Sequence, residues 1–373
     1  MLVAGGGTGG HLFPGIAVAE EMQRRFPKGS LLFATTGRNI DNTGLGARGL
    51  PSSVIRCQGI KGRGVTGKIR SLLQLPVALL DAVRLLRRFR PDVVFGVGGY
   101  VTGPVLLAAR LMGKATCIHE QNSVPGLTNR ILGRYVDRIF LSIPGSERFF
   151  PADRTVMTGN PVRRDLIEAA RQDKKKGPPT LLVLGGSQGA HRVNELVVGA
   201  VDKLFNRLPP NLMIIHQTGK ADEVMVRDAY KRIGIGAEVA PFFHDMAACL
   251  GRADLVVSRA GATSLAELTV MGKPAILIPY PYAADDHQLT NARFLEEEGA
   301  AMVFVEKELT DIALGKELAR LLEDADLRRR MAGHTLRLAR PEAAARIVDG
   351  CLELLGKKKS GKTGAAAVAC LFP

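Results

Sequence analysis

The chain is 373 residues long, 46% hydrophobic and 23% charged, which excludes the disordered, collagen-like and disulfide-scaffold classes. That length suffices for two domains, each burying its own core. Lys and Arg number 51 against 36 Asp and Glu, a net charge of +15, so the partner to expect is anionic: nucleic acid, an acidic membrane surface or a phosphate-bearing ligand.

In chain order, a short apolar run at residues 2–4 leads through GGGTGGH (Gly5 to His11) into a helix, where Ile16, Ala19, Met22 and Phe26 recur at helical spacing. A strand follows at 31–34. From Lys61 to Arg90 a run of Lys and Arg among leucines meets one acid, Asp81. The plain reading of this segment is a core-facing helix with a solvated side; the sharper one is docking on anionic lipid. The strand–loop–helix pattern returns at 93–96 with GVGGYVTGP, and at 181–184 with GGSQGAH (Gly185 to His191). Further strands are expected at 136–142, 213–216, 255–258 and 275–279, mostly separated by helices. Apolar runs alternating with helices indicate parallel sheets covered on both faces. The uncharged stretch 93–109 contains Gly and Pro and reads as strand, loop and helix, and no signal peptide opens the chain; the expectation is a soluble or at most peripheral protein. Cys57, Cys117, Cys249, Cys351 and Cys370 are scattered without a C-x-x-C pair, as thiols of a reducing compartment with no zinc site.

The first and third glycine loops each follow an initial strand, which gives the fold class α/β with two Rossmann-like, doubly wound domains. Residues 1–160 form the first and 161–340 the second, with a crossover near Gly159-Asn160-Pro161 and a charged, Pro-rich surface loop at 172–179. A last helical segment, 341–356, can pack on either domain, including back on the first, and 357–373 is read as a basic, flexible tail. The charge is unevenly shared: residues 1–160 hold 21 Lys/Arg against 9 Asp/Glu, and residues 161–373 hold 30 against 27.

A glycine turn entering a helix lets backbone N–H groups and the helix dipole approach a phosphate. GGGTGG also fits G-x-G-x-x-G, the dinucleotide pattern. The acid expected after the second strand is missing, whereas Arg38 suits a 2′-phosphate, so an NADP-dependent oxidoreductase stays open at this point. A nucleic-acid binder is disfavoured, because aromatics are only 5% and no stacking platform accompanies the basic run.

GGGTGGHLFPGIAVAEEM, GVGGYVTGP, HEQNSVPGLTNRIL, GNPVRRD, GGSQGAHRVN, RAGATSLAEL and DDHQLTNA occur in this order. Together they resemble the MurG family of peptidoglycan UDP-N-acetylglucosamine transferases, of the GT-B class, over roughly Leu2 to Leu355. The resemblance implies two Rossmann-like domains facing across a cleft. It implies inverting transfer of N-acetylglucosamine (GlcNAc) from UDP-GlcNAc to the 4-hydroxyl of undecaprenyl-pyrophosphoryl-MurNAc-pentapeptide (lipid I), forming lipid II. A GT-B synthase making glycolipid from diacylglycerol is the alternative, against which HEQN and GNPVR argue.

What the resemblance implies residue by residue agrees with what the residues can do. Ser187, Gln188 and the backbone of 185–190 sit at a helix start, where the dipole takes up charge on a departing diphosphate. Thr8, Gly9 and Gly10 serve the same nucleotide sugar from the first domain, and Arg163 stands near the diphosphate. Glu267 is the ribose acceptor, Ala262, Thr263 and Ser264 line the nucleotide, and Phe243 lies beside uracil. His287 and Gln288 meet the sugar hydroxyls, with His-Gln where some family members carry Gln-Gln. Asn122 touches donor or acceptor, and Gly98, Gly99 and Tyr100 line the acceptor pocket. His11 is the candidate general base, since imidazole titrates near working pH, with Glu120 as its rival or as an organiser of the loop. Loops and cations suffice without a metal or other cofactor. The family's location, the cytoplasmic face of the bacterial inner membrane, agrees with lipid contact by the 61–90 segment. Contacts with other cell-wall synthesis or division proteins are also implied, and nucleic acid is not.

Overall fold

The computed structural model describes residues 1–57, 74–172, 177–186 and 189–369. The chain divides into two compact units, Met1–Pro161 with Glu342–Pro373, and Val162–Pro341. Among the described residues the first holds seven strands: β1 (Leu2–Ala4), β2 (Leu32–Thr35), β3 (Ser52–Val54), β4 (Val93–Gly96), β5 (Ala115–Glu120), β6 (Arg138–Leu141) and β7 (Thr155–Met157), in the order β3-β2-β1-β4-β5-β6-β7. The second holds six: β8 (Thr180–Leu184), β9 (Met213–Gln217), β10 (Gly236–Ala240), β11 (Leu255–Ser258), β12 (Ala275–Leu277) and β13 (Ala301–Val303), in the order β10-β9-β8-β11-β12-β13. Every pairing is parallel. Leu2 of β1 lies opposite Leu32 on one side and Val94 on the other, and Leu181 of β8 lies between Ile214 and Leu255. β1 and β8 are therefore the switch points of the two sheets, where an open α/β sheet binds its ligand beyond the carboxyl ends.

Alternation along the strands sends side chains to two helical layers. In the first unit Val3, Phe95 and Cys117 pack with Leu12 and Ile16 of the helix Gly9–Arg25 and with Ile347 and Cys351 of the last helix, Ala343–Ala369. Leu2, Val94 and Ile118 face the other way, under Ala82 and Leu86 of the helix Leu75–Phe89 and Val105 and Ala109 of the helix Thr102–Leu111. In the second unit Leu181, Val183 and Ile214 meet Val193 and Val197 of the helix His191–Lys203 and Leu314 and Leu318 of the helix Asp311–Glu323. Leu182, Ile215 and Val256 meet Leu250, Leu265 and Leu295 on the opposite face.

The last helix completes the first unit's core. Gly350 lies so close to Phe140 that a Cβ would stand 2.6 Å from the ring, and Arg25 pairs with Asp349. Its backbone stays helical from Ala343 to Ala369, through residues whose composition reads as a tail.

The eight apolar runs read from sequence are all strands, with ends shifted by a residue or two. β3, β5, β7, β10 and β13 are additional. Four of them are sheet edges, which need less apolar surface. β5 is internal, but Thr116, His119 and Glu120 interrupt its apolar run.

Candidate active site

In the second unit the loop after β8 turns on Gly186 (φ 83°) and Gly189 (φ 80°), in the left-handed region that favours glycine. A Cβ at Gly189 would lie 2.5 Å from the Thr218 carbonyl oxygen, so this loop is pressed onto the end of β9. Ser187 and Gln188 lie outside the described residues. The loop enters the helix His191–Lys203, which a buried polar network anchors. Asn194 Nδ2 donates to the Thr218 carbonyl (2.9 Å) and Asp222 Oδ2 (2.7 Å), and Asp222 Oδ1 stands 2.9 Å from His191 Nδ1. Asn194 Oδ1 then accepts from His216 Nε2 (3.0 Å), and His216 Nδ1 accepts the Tyr230 hydroxyl (2.9 Å). Burial pushes the His216 pKa down to about 3, so this imidazole is neutral and its tautomer is fixed by its partners.

Arg163 precedes the helix Arg164–Ala170 and reaches Glu267, with Nη2 3.5 Å from Oε1; its Nη1 lies 3.6 Å from Asp165 Oδ2. Glu267 sits in the helix Ala262–Val270, whose first turn carries Ala262, Thr263 and Ser264 after the N-cap Gly261. Burial pushes the Glu267 pKa up to about 7; Arg163 opposes that rise and Asp165 adds to it. A half-buried carboxyl held this high gains from new hydrogen-bond donors, and a ribose diol supplies two.

Beyond β12, Asp285 (φ 54°) and Asp286 (φ 48°) are successive left-handed non-glycine residues, a strained turn of the kind found at ligand clamps. This turn delivers His287, whose Nδ1–H donates to the Ala284 carbonyl (2.7 Å), and Gln288, whose Oε1 accepts the Tyr280 N–H (3.0 Å). Phe243, half-buried, donates its backbone N–H to Gln217 Oε1 (3.0 Å).

In the first unit the loops after β1 and β4 interlock. Thr8 occupies the N-cap of the helix Gly9–Arg25 but makes no side-chain cap bond; its Oγ1 lies 3.1 Å from His11 Nδ1. The His11 ring covers Gly98 (φ 93°), where a Cβ would stand 3.0 Å from Nε2. Gly99 also adopts positive φ, and Tyr100 beside it is exposed. Thr102 Oγ1 bridges the carbonyls of Ala4 (2.9 Å) and Gly98 (2.7 Å), tying both loops to the helix that follows.

Glu120, at the end of β5, is buried and surrounded by donors. Its Oε1 accepts Asn122 N (3.0 Å) and Nδ2 (3.2 Å), and its Oε2 accepts Gly126 N (3.2 Å) and Asn129 Nδ2 (2.8 Å). Burial raises its pKa and these donors work against the rise. The carboxylate thus shapes the 120–129 loop, and the Asn122 amide is turned toward it. His119, beside it, is driven down to about pH 3 by burial.

The structure therefore gathers Thr8, Gly98, Gly99 and His11 at one strand end, and sets Arg163 against Glu267 in the other unit. Two contributors escape sequence reading. Asp41 accepts the Gly7 N–H through Oδ1 (2.7 Å) inside the first loop, and Gln217 links two loops of the second unit; neither stands at a motif spacing. Among the described residues no three His, Cys, Asp or Glu side chains gather as metal ligands.

Two parallel α/β units of this winding, with glycine loops opening onto helices at both switch points, define the class: a two-unit protein of the doubly wound, nucleotide-binding kind. The chain belongs to glycosyltransferase family 28, whose N-terminal domain matches residues 1–141 and whose C-terminal domain matches residues 180–347. It is 46% identical over 367 residues to the UDP-N-acetylglucosamine–N-acetylmuramyl-(pentapeptide) pyrophosphoryl-undecaprenol N-acetylglucosamine transferase of Anaeromyxobacter dehalogenans, covering 98% of this chain and 96% of that one. The Desulfotalea psychrophila protein of the same name is 47% identical over 358 residues, covering 96% and 97%. Among solved structures, Acinetobacter baumannii MurG matches with TM-score 0.75 and 31% identity over 95% of this chain and 98% of that one.

Glycosyltransferase membership sets aside the NADP reading of GGGTGG, and the first loop supplies the physical reason. Its Gly7 N–H is already spent on the buried Asp41 carboxylate, and Arg38 Nη1 turns back to the Gly7 carbonyl (3.3 Å). A pyrophosphate there would find that N–H taken by a side-chain oxygen, where a dinucleotide loop presents it to the ligand.

Proposed function

We propose that the protein transfers GlcNAc from UDP-GlcNAc to the 4-hydroxyl of lipid I, with inversion, forming lipid II. The observation that carries this reading is the Arg163–Glu267 pair beside a helix N-terminus, in a chain nearly half identical along its length to transferases of that name. Glu267 takes the ribose hydroxyls and Phe243 flanks uracil. His287 and Gln288 orient the sugar. The acceptor O4 attacks the anomeric carbon from the face opposite UDP while its proton passes to His11 Nε2. The bond from that carbon to the β-phosphate oxygen breaks, and its electron pair leaves with UDP. Arg163 and the N-terminus of the helix His191–Lys203 stabilise the departing charge. Thr8 supports the base by accepting Nδ1–H, which orients the imidazole with its Nε2 toward the acceptor proton.

The protein acts peripherally, at the cytoplasmic face of the inner membrane. The helix Leu75–Phe89 buries Ala78, Ala82 and Leu86 and exposes Leu75, Val77 and Leu80 beside Arg84, Arg87 and Arg88. Neighbouring helices add exposed Leu107 and Leu111, then Leu127 and Ile131. Leucines flanked by arginines suit an anionic lipid surface. Residues 58–73 of the basic segment lie outside the described residues, and no helix among those described is long and apolar enough to cross a membrane.

The test is incubation with UDP-GlcNAc and a lipid I analogue. A disaccharide-bearing lipid with release of UDP is expected. No turnover by folded protein that still binds UDP would remove the acceptor assignment.

A further inference from the structure

Gln217 closes β9 with its side chain buried, 3% exposed, and spends each end of its amide on a different loop. Nε2 donates to the Gly186 carbonyl at 3.2 Å, and Oε1 accepts the Phe243 N–H at 3.0 Å. The partners fix the amide's orientation, because a carbonyl accepts only from the NH2 and an N–H donates only to the oxygen. The Gln217 backbone carbonyl takes the Gly185 N–H as well (3.4 Å), and Gly189 rests on Thr218 next along the chain. The end of β9 is thus the floor of the glycine loop, and one side chain ties that floor to the segment carrying Phe243.

A buried glutamine that merely satisfies itself needs any two polar neighbours. Here the two neighbours belong to segments assigned to different parts of one ligand, the diphosphate and the nucleobase. We propose that Gln217 is a positioning residue that locks the diphosphate loop to the base-side segment, so that UDP-GlcNAc is gripped at both ends by one rigid frame and the base is selected through the same contact. This rests on the reading that the 185–190 loop faces the diphosphate and Phe243 the uracil. A frame set before binding loses less freedom when the donor docks, and base discrimination depends on how firmly Phe243 is held.

The two ends of the amide can be separated by mutation. Gln217→Met removes both bonds at similar volume. It is expected to raise the KM for UDP-GlcNAc about tenfold and to lower the preference for UDP-GlcNAc over its cytidine analogue by a similar factor, with the acceptor KM unmoved. Gln217→Glu keeps an oxygen for the Phe243 N–H but loses the donor to Gly186 and adds charge below the diphosphate loop. It should raise the donor KM at least as much while base preference stays near wild type. A structural role alone would lower melting temperature and kcat without touching base preference. Phe243→Ala is measured alongside. If it relaxes base preference and Gln217→Met does not, the link is overturned while the site assignment stands. If neither variant changes base preference, the base-side assignment fails and the proposal with it. Should Gln217→Met not fold, the polar Gln217→Glu still decides, since wild-type donor KM in that variant overturns the link.

Discussion

The hydroxyl of Thr8 lies 3.1 Å from His11 Nδ1, although Thr8 holds the N-cap of its helix, where that hydroxyl ordinarily satisfies a backbone N–H. An N-cap threonine bond stabilises a helix by about 1 kcal/mol, and this helix forgoes it. The side chain orients an imidazole instead, and the ring's Nε2 edge lies over Gly98, where there is no Cβ to block it.

His11→Gln is therefore expected to lower kcat by about 10²–10⁴-fold with little change in donor KM, the range ordinarily lost with a general base. Thr8→Ala should lower kcat about tenfold through the lost orientation, and Thr8→Ser should restore it. Steady-state kinetics with both substrates measures this. Wild-type kcat in His11→Gln would remove the base assignment.

Glu120 gives a contrasting expectation. Its four donors leave no idle lone pair for an acceptor hydroxyl. Glu120→Gln replaces one oxygen with an NH2 facing N–H groups, so a stability loss of about 2–4 kcal/mol is expected, read by denaturant unfolding. The acid limb of the kcat–pH profile should keep its position. Unchanged stability together with a vanished acid limb would make Glu120 the base.

Glu267 carries a pH signature. Its folded pKa, about 7, lies above its ordinary 4.5, so between these values the folded protein holds a proton that the unfolded chain releases. Stability consequently falls as pH rises through this window, and above it the full cost, on the order of 3 kcal/mol, remains. Glu267→Gln should be more stable than wild type at pH 8 and equal to it at pH 4, by thermal melts. UDP-GlcNAc binding should go the other way. Wild-type affinity should rise with pH through about 7 as the carboxylate forms, and the variant should bind more weakly with no such dependence. Calorimetric titrations showing identical affinity for the two proteins at pH 8 would remove the ribose role.

The apolar and basic helices of the first unit predict lipid binding. Leu80 and Leu111 are 55% and 75% exposed on neighbouring helices. Replacing both with Asp should lower affinity for anionic vesicles at least tenfold, because each buried leucine contributes about 1.5–3 kcal/mol. Turnover of a water-soluble acceptor analogue should be unchanged. Equal co-sedimentation of variant and wild type would exclude this face as the contact.

Much of this architecture was legible beforehand because glycine loops and parallel-strand runs leave local marks. Gly186, Gly189 and Gly98 stand where positive φ or close packing leaves no room for a side chain, and Glu267 sits in a helix whose turn is written in RAGATS. Asp41 and Gln217 were not legible. Asp41 meets Gly7 across 34 residues and Gln217 meets Gly186 across 31, so their partners exist only once β2 lies beside β1 and β9 beside β8. The edge strands β3 and β10 escaped for a different reason, since a strand with one paired side and an exposed face needs no apolar run.

The most direct test of the central claim is acceptor competition in mixed vesicles holding lipid I and diacylglycerol, with labelled UDP-GlcNAc and linkage analysis of the product. Label is expected only in a GlcNAc-β-1,4-MurNAc lipid, with none on diacylglycerol. Label on diacylglycerol, or an α-linked product, would contradict that claim.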